Sequence, residues 1–310
     1  MIKNEEAPVS IEPEGRPGIH RAQWALAALI LALAVGGVLY RLLVMKKLEQ
    51  TAALFIGLPA VLAIILAMTP RAGSATGTII KGLTIALLMS GPILGEGFIC
   101  IVMAAPLFYL VGIIIGLVID RARRREGSSV LRAVILLPLL AMSIEGVTPA
   151  LTFATREEVT AVRIVEATPE EVERALAQTP RFERELPSFL RLKFPRPERT
   201  AGAGLEPGAM RVVRFAGGEG KPGDLMLRVA ERGPSSVTFE AVSDTSHIAH
   251  WLTWRSSHVT WRPLDARRTE VTWSIVYDRE LDPAWYFGPW ERYATRLAAG
   301  VLIDNLATPR

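Results

Sequence analysis

Residues 282–301 read Asp282-Pro283-Ala284-Trp285-Tyr286-Phe287-Gly288-Pro289-Trp290-Glu291-Arg292-Tyr293-Ala294-Thr295-Arg296-Leu297-Ala298-Ala299-Gly300-Val301. Asp282-Pro283 predicts a helix start: an acceptor side chain at the cap, then a ring whose missing N–H is no loss at the first helical position. Tyr286, Trp290, Tyr293, Leu297 and Val301 step by 4, 3, 4 and 4, so they share one face. Glu291, Arg292 and Arg296 are expected to point elsewhere. A long helix with an aromatic face must bury it, and the concave side of a curved sheet is the partner that can accept it.

The residues upstream supply that sheet. Alternating runs at Met210–Phe215, Leu225–Ala230, Val237–Val242, about Trp251–Trp261, and Glu270–Tyr277 are separated by Gly217-Gly218, Gly233-Pro234 and the stretch Leu264–Arg268. Short strands at this spacing predict an antiparallel meander. Before them, Pro195–Pro207 reads as a loop and Arg181–Leu190 as a short helix broken by Pro187. Earlier still, Val159–Glu166 is rich in β-branched residues and predicts a strand. Thr168-Pro169-Glu170-Glu171 then carries a helix-start signature, with Thr168 as cap, Pro169 at the first position and Glu171 closing a capping box.

Strand, two helices, a meander of about five strands and one long helix is an order that resembles the helix-grip fold of the START/Bet v 1-like superfamily, also called SRPBCC or polyketide cyclase/dehydrase-like. The residues that carry the resemblance are Val165-Glu166-Ala167-Thr168-Pro169-Glu170-Glu171-Val172, Thr269-Glu270-Val271-Thr272-Trp273 in the last strand, and the aromatic terminal helix. It covers about residues 157–310, and nothing in residues 1–150 belongs to it. The resemblance implies a hydrophobic cavity between sheet and last helix, of the kind relatives use for lipids, sterols or polyketides. Some relatives are enzymes and many only carry ligands, so the fold does not choose between these. On that footing the candidate ligand-binding residues are Trp273, Tyr286, Trp290, Tyr293 and Leu297.

The first half follows different physics. The chain has 310 residues, half of them apolar and 21% charged, with a mean hydropathy of +0.29, which excludes a disordered chain. Residues 1–150 hold 13 Lys/Arg against 9 Asp/Glu, and the remainder 22 of each, so the net +4 belongs to the first half. Those charges flank apolar runs, which speaks against nucleic acid and for a lipid bilayer as partner. The runs are Trp24–Val44, Thr51–Thr69, Thr76–Leu94, Phe98–Ile119 and the shorter Val130–Ile144. A span needs about 20 apolar residues. The division expected is therefore a cytoplasmic segment over 1–23, a helical transmembrane bundle over 24–150, and the α+β domain over 157–310.

The leader before Trp24 is long and acidic, so the first run is read as a retained anchor and not a cleaved signal. Placing the N-terminus in the cytoplasm gathers Arg121, Arg123, Arg124, Arg125 and Arg132 on the inner side. Five spans then put the C-terminal domain outside the cytoplasm of a bacterial inner membrane; four would leave it inside. Glu96 and Glu145, at the ends of apolar runs, form a candidate polar site at the outer face. Gly112-x3-Gly116 permits close helix packing.

Catalytic signals are sparse. His247, His250 and His258 cluster in sequence, and Asp244 is near, so His250, His258 and Asp244 are the candidate acid/base groups. No cofactor motif appears, and a single cysteine, Cys100, excludes a cysteine-built zinc site. Trp251 and Trp261 are expected on one strand face and Trp254 on the other, absent a bulge. Three functions fit: a membrane-anchored module binding an apolar or amphipathic small molecule, the reading the residues favour; a cyclase, dehydrase or hydrolase acting on the same cavity; or a transport or assembly protein acting through Glu96 and Glu145.

Overall fold

The structure, a computed structural model, describes residues 21–44, 57–70, 72–94, 98–124, 153–192, 194–216 and 222–309. The run Val130–Ile144, the carboxylates Glu96 and Glu145, and most of segment 1–23 lie outside the described residues.

Four helices precede the sheet: α1 (Arg21–Val44), α2 (Leu58–Met68), α3 (Ala75–Leu94) and α4 (Phe98–Arg124). Among the described residues one helix, Ile99–Arg124, is long and apolar enough to cross a membrane, and the other apolar helical stretches are shorter. Ala60, Ala63 and Ala67, one stripe of α2, are buried with Ile30, Ala34, Ile85 and Met89. Small residues also bring α3 and α4 together: a Cβ at Gly116 would lie 2.5 Å from the Thr76 Cα, and one at Gly112 would strike Leu83. At the end of this hairpin the Asp120 carboxylate accepts hydrogen bonds from the Ala75 N–H (2.6 Å), the Thr76 N–H (3.0 Å) and the Thr76 hydroxyl (2.7 Å). Three donors at the start of α3 are thereby satisfied by a side chain of α4. Lys81 donates to the Thr69 carbonyl at 2.9 Å in the adjoining turn. The outward faces carry Trp24, Leu31, Ile65 and Leu117, each more than half exposed.

The second half is a seven-stranded antiparallel sheet in the order β1-β7-β6-β5-β4-β3-β2. Its strands are β1 (Arg156–Val165), β2 (Arg196–Ala201), β3 (Met210–Ala216), β4 (Gly223–Gly233), β5 (Ser236–Asp244), β6 (Leu252–Pro263) and β7 (Thr269–Arg279). β1 and β2 follow one another in the chain yet form opposite edges, so the segment between them crosses the sheet. That segment contains α5 (Pro169–Ala177), whose capping box is formed as expected: Thr168 Oγ1 accepts from the Glu171 N–H while Glu171 accepts from the Thr168 N–H. Register shifts in β2, in β4 at two places, and in β6 between Trp254 and Ser256 bend the sheet. The last helix, α6 (Ala284–Leu302), lies against β1 and β7. A curved antiparallel sheet holding a C-terminal helix is a helix-grip architecture.

Two expectations need correction. Residues 181–190 do not form a helix; Pro180 and Pro187 interrupt the stretch, and only a turn follows, with the Arg191 N–H donating to the Pro187 carbonyl at 3.1 Å. Within the expected loop at 195–207 lies β2, which tolerates Pro197 because it is an edge strand with a bulge there.

The third difference concerns how α6 meets the sheet. Ala284, Gly288, Glu291, Thr295 and Ala299 are its buried stripe, also stepping by 4, 3, 4 and 4. This stripe lies nearly opposite the aromatic one. Small residues let the helix approach β7 closely; a Cβ at Gly288 would sit 3.8 Å from Arg279 Cδ. Large rings on that face would hold the helix off. The aromatic face turns instead to other segments: Phe189 stacks on Trp290 and meets Tyr293 edge-on.

Candidate functional site: a cavity beside the last helix

β7 alternates strictly, placing Thr269, Val271, Trp273, Ile275, Tyr277 and Arg279 on the concave face. Val271, Trp273, Ile275 and Tyr277 fill the core with Val159, Leu176, Val259 and Ala299. Beside this core a cavity of about 590 Å³ opens alongside α6. That volume suits a small organic molecule.

Four segments supply most of the cavity wall, with Pro197, Phe215 and Leu281 completing it. From α6 come Phe287, Trp290, Glu291, Ala294, Thr295, Ala298 and Val301. The segment between α5 and β2 contributes Phe182, Leu186, Leu190 and Phe194. The 3₁₀ turn His247–His250 and the start of β6 add both histidines, Trp251 and Trp254. The fourth wall comes from the first half of the chain: Ile99, Cys100, Met103 and Ala104, the first turns of α4. Ile99 is buried there, and the Tyr286 hydroxyl donates to the Met103 carbonyl at 2.5 Å. A smaller hollow of about 50 Å³ adjoins it, lined by Trp254, Trp273, Phe239 and Arg211. Burial lowers the Arg211 pKa to about 10, and its guanidinium lies 4.8 Å over the Phe239 ring while donating to the Leu176 and Gly204 carbonyls.

Glu291 is the charged group of this wall. It is 4% exposed, and its two carboxylate oxygens are themselves buried, facing Arg279 and the Leu281 backbone and not the open cavity. Burial pushes its pKa up to about 7, against the opposing pull of Arg279 and of the backbone at Leu281. Arg279 is itself engaged, donating to the Leu281 carbonyl at 2.8 Å and to Asp282 at 3.1 Å. Glu157, also near, accepts from Arg292 at 2.8 Å. Below them the Tyr277 phenol is pushed up to about 12, by burial first and then by the charge of Glu291. No Lys or Arg occurs among the described residues lining the cavity.

The structure distributes the sequence candidates unevenly. Trp290 lines the cavity. Trp273 is a core residue, 2% exposed and stacked on Phe239, and reaches only the small hollow. Tyr286 binds α4; Tyr293 is half exposed against Phe189; Leu297 lies on the same far side of α6. His250 lines the cavity, with His247 at 4.9 Å between ring centroids. His258 points to the outer face, bonded to Thr238 Oγ1 at 2.9 Å. Asp244 accepts from the Ser246 N–H at 2.8 Å and is absent from the cavity wall. His250, His258 and Asp244 are therefore not brought together, and no group of three or more metal donors occurs among the described residues. The bulge at Trp254/Ser256 explains part of this: it puts Trp254 on the inner side together with Trp261 and leaves His258 facing out.

Sequence reasoning overlooked Glu291. A readable signal existed, since Glu291 falls in register with Ala284, Gly288, Thr295 and Ala299, a small-residue stripe that invites close packing.

Comparison with family models finds no match, and neither does comparison with curated proteins by sequence. Solved structures similar to the second half include a protein of Thermus thermophilus (15% identity, 49% of this chain and 94% of that one, TM-score 0.33). Norcoclaurine synthase of Thalictrum flavum is another (12%, 49% and 98%, TM-score 0.32). A third is the Zhui aromatase/cyclase of a Streptomyces species (15%, 48% and 86%, TM-score 0.31).

Proposed function

We propose that this protein is a membrane-anchored binding module that holds an apolar or amphipathic small molecule beside α6. The observation that carries the reading is the cavity of about 590 Å³ whose fourth wall is the start of the helix Ile99–Arg124. A pocket closed by such a helix opens next to the acyl region of a bilayer, where apolar molecules concentrate. Burying about 300 Å² of apolar ligand surface would contribute about 7 kcal/mol before the cost of immobilisation.

The same helix supports an orientation. The cavity engages residues 99–104, while Arg121, Arg123 and Arg124 lie at the other end of a helix about 39 Å long, 26 residues at 1.5 Å each. If the arginines mark the cytoplasmic side, the C-terminal domain sits outside. The five-run reading of the sequence returns the chain to that side before Phe153; a four-run reading does not. The exposed apolar faces of α1, α2 and α4 fit lipid contact.

The test is mass spectrometry of small molecules extracted from the full chain purified in mild detergent, compared with Ala298→Trp, which fills the cavity. An apolar molecule retained at near-stoichiometric amounts by the wild type and lost from A298W supports the reading. Equal retention by both proteins, or none by either, rejects it.

A further inference from the structure

We infer that the outward stripe of α6, made of Trp285, Pro289, Tyr293 and Arg296, is a membrane seat that rests in the headgroup layer of the bilayer that α4 enters. The inference rests on the membrane-anchored reading above and adds the surface by which the C-terminal domain meets lipid.

Trp285, Pro289, Tyr293 and Arg296 are the exposed residues of α6. They step by 4, 4 and 3, so they share one face. A surface helix normally shows water its charged and polar side chains. Here two large aromatic rings hold that face, Trp285 being 46% and Tyr293 51% exposed, while Glu291 and Thr295 belong to the buried stripe.

The stripe begins beside α4. The Trp285 ring meets the Tyr286 ring edge-on at 5.9 Å between centroids, and the Tyr286 hydroxyl donates to the Met103 carbonyl. Met103 belongs to the first turns of Ile99–Arg124, the described helix that is long and apolar enough to cross a membrane. A bilayer around that helix has its boundary near Trp285. The residue types suit that level. Trp and Tyr rings join an apolar body to a polar edge, and an arginine stem lies on apolar surface while its head reaches phosphate. Arg292 is bonded to Glu157, whereas Arg296 enters no ion pair among the described residues. A protein partner fits less well. From Trp285 to Arg296 the stripe runs about 16 Å and is one helix, about 10 Å, wide, whereas a stable protein interface buries about 800 Å² on each side.

The test places an NBD fluorophore at one introduced cysteine at a time in the full chain carrying Cys100→Ser, reconstituted into phosphatidylcholine vesicles. Trp285→Cys and Tyr293→Cys report the stripe, Leu117→Cys the outward face of α4, and Val242→Cys an exposed apolar position on β5. The quenchers are nitroxide lipids labelled in the headgroup or in the acyl chain. We expect headgroup-labelled lipid to quench positions 285 and 293 at least about threefold more than 242, and acyl-labelled lipid to quench 117. If 117 is quenched and either stripe position is quenched no more than 242, the seat is overturned and the anchor stands. Shielding of 285 and 293 from both lipid quencher and aqueous iodide also overturns the seat and assigns the stripe to a protein partner. No quenching at 117 overturns the membrane reading and the seat with it.

Discussion

The phenol of Tyr286 donates a hydrogen bond to the backbone carbonyl of Met103, 183 residues earlier in the chain. This contact ties α6 of the sheet domain to α4 at the edge of the cavity. It falls near Pro106, which has no N–H to give to the Val102 carbonyl and so weakens the helical ladder there. A hydrogen bond of this kind is worth about 1 kcal/mol, or roughly a fivefold change in an opening equilibrium. Cys100, the one cysteine of the chain, lines the same wall and reports such opening. Tyr286→Phe should raise the rate of maleimide labelling at Cys100 about fivefold. An unchanged rate would mean that the contact does not hold the two parts together.

Glu291 gives the domain a pH-dependent stability of known sign. Its pKa rises from 4.5 to about 7 on folding because burial disfavours the charge; Arg279 opposes the rise, while Glu157 and Asp282 add to it. Below pH 4.5 the carboxyl is protonated in both states and contributes no penalty. As pH rises from 4.5 to 7 the unfolded chain ionises first, so stability falls, by up to roughly 3 kcal/mol in total. Thermal unfolding of the full chain between about pH 5 and 8 should show this decline, and E291Q should flatten it and unfold at the higher temperature at the alkaline end. A parallel decline in both proteins would assign the pH dependence to other groups.

Trp273 and Trp290 separate packing from binding. Trp273 is buried in the core against Phe239, so Trp273→Ala should cost about 3–5 kcal/mol and show as a lower unfolding temperature. Trp290 lines the cavity and is partly exposed, so Trp290→Ala should cost far less stability yet weaken an apolar probe at least tenfold. The assignment fails if the two variants lose stability equally, or if W273A binds the probe more weakly than W290A at a temperature where both are folded.

What a sequence reveals follows from which physics is local. The capping box at Thr168 and Glu171 depends on four residues and is readable outright. The meander strands are readable because inward and outward residues alternate, most cleanly in β7. Edge strand β2 is not, since Pro197 and the absence of apolar alternation are acceptable only at an edge, and edge position is a property of the whole sheet. The orientation of α6 escapes local reading for a related reason. Two stripes share the same spacing, and hydrophobicity favours the aromatic one, whereas close approach to the sheet requires the small one. Glu291 is lost with that choice. The α4 wall of the cavity is beyond reach, because no local pattern records that residues 99–104 meet a helix nearly 200 residues later.

The packing of α3 on α4 should govern the cavity from a distance. Gly116 approaches Thr76 so closely that a Cβ would collide with backbone, and Asp120, one turn further on, holds the first residues of α3. Gly36 of α1 is also helical but has nothing within 4 Å of its would-be Cβ. Gly36→Ala should therefore be neutral or slightly stabilising through helix propensity. Gly116→Ala must separate the two helices or bend one of them. α4 runs unbroken from Gly116 back to Ile99, so a shift at Gly116 should reach the cavity wall if the weakened ladder at Pro106 transmits it. G116A is expected to lower the temperature at which the purified full chain stays monodisperse, and to weaken binding of an apolar probe several-fold while G36A leaves both unchanged. If G116A lowers the first and spares the second, α4 moves without carrying its cavity end, and the wall is held by Tyr286 and its neighbours alone.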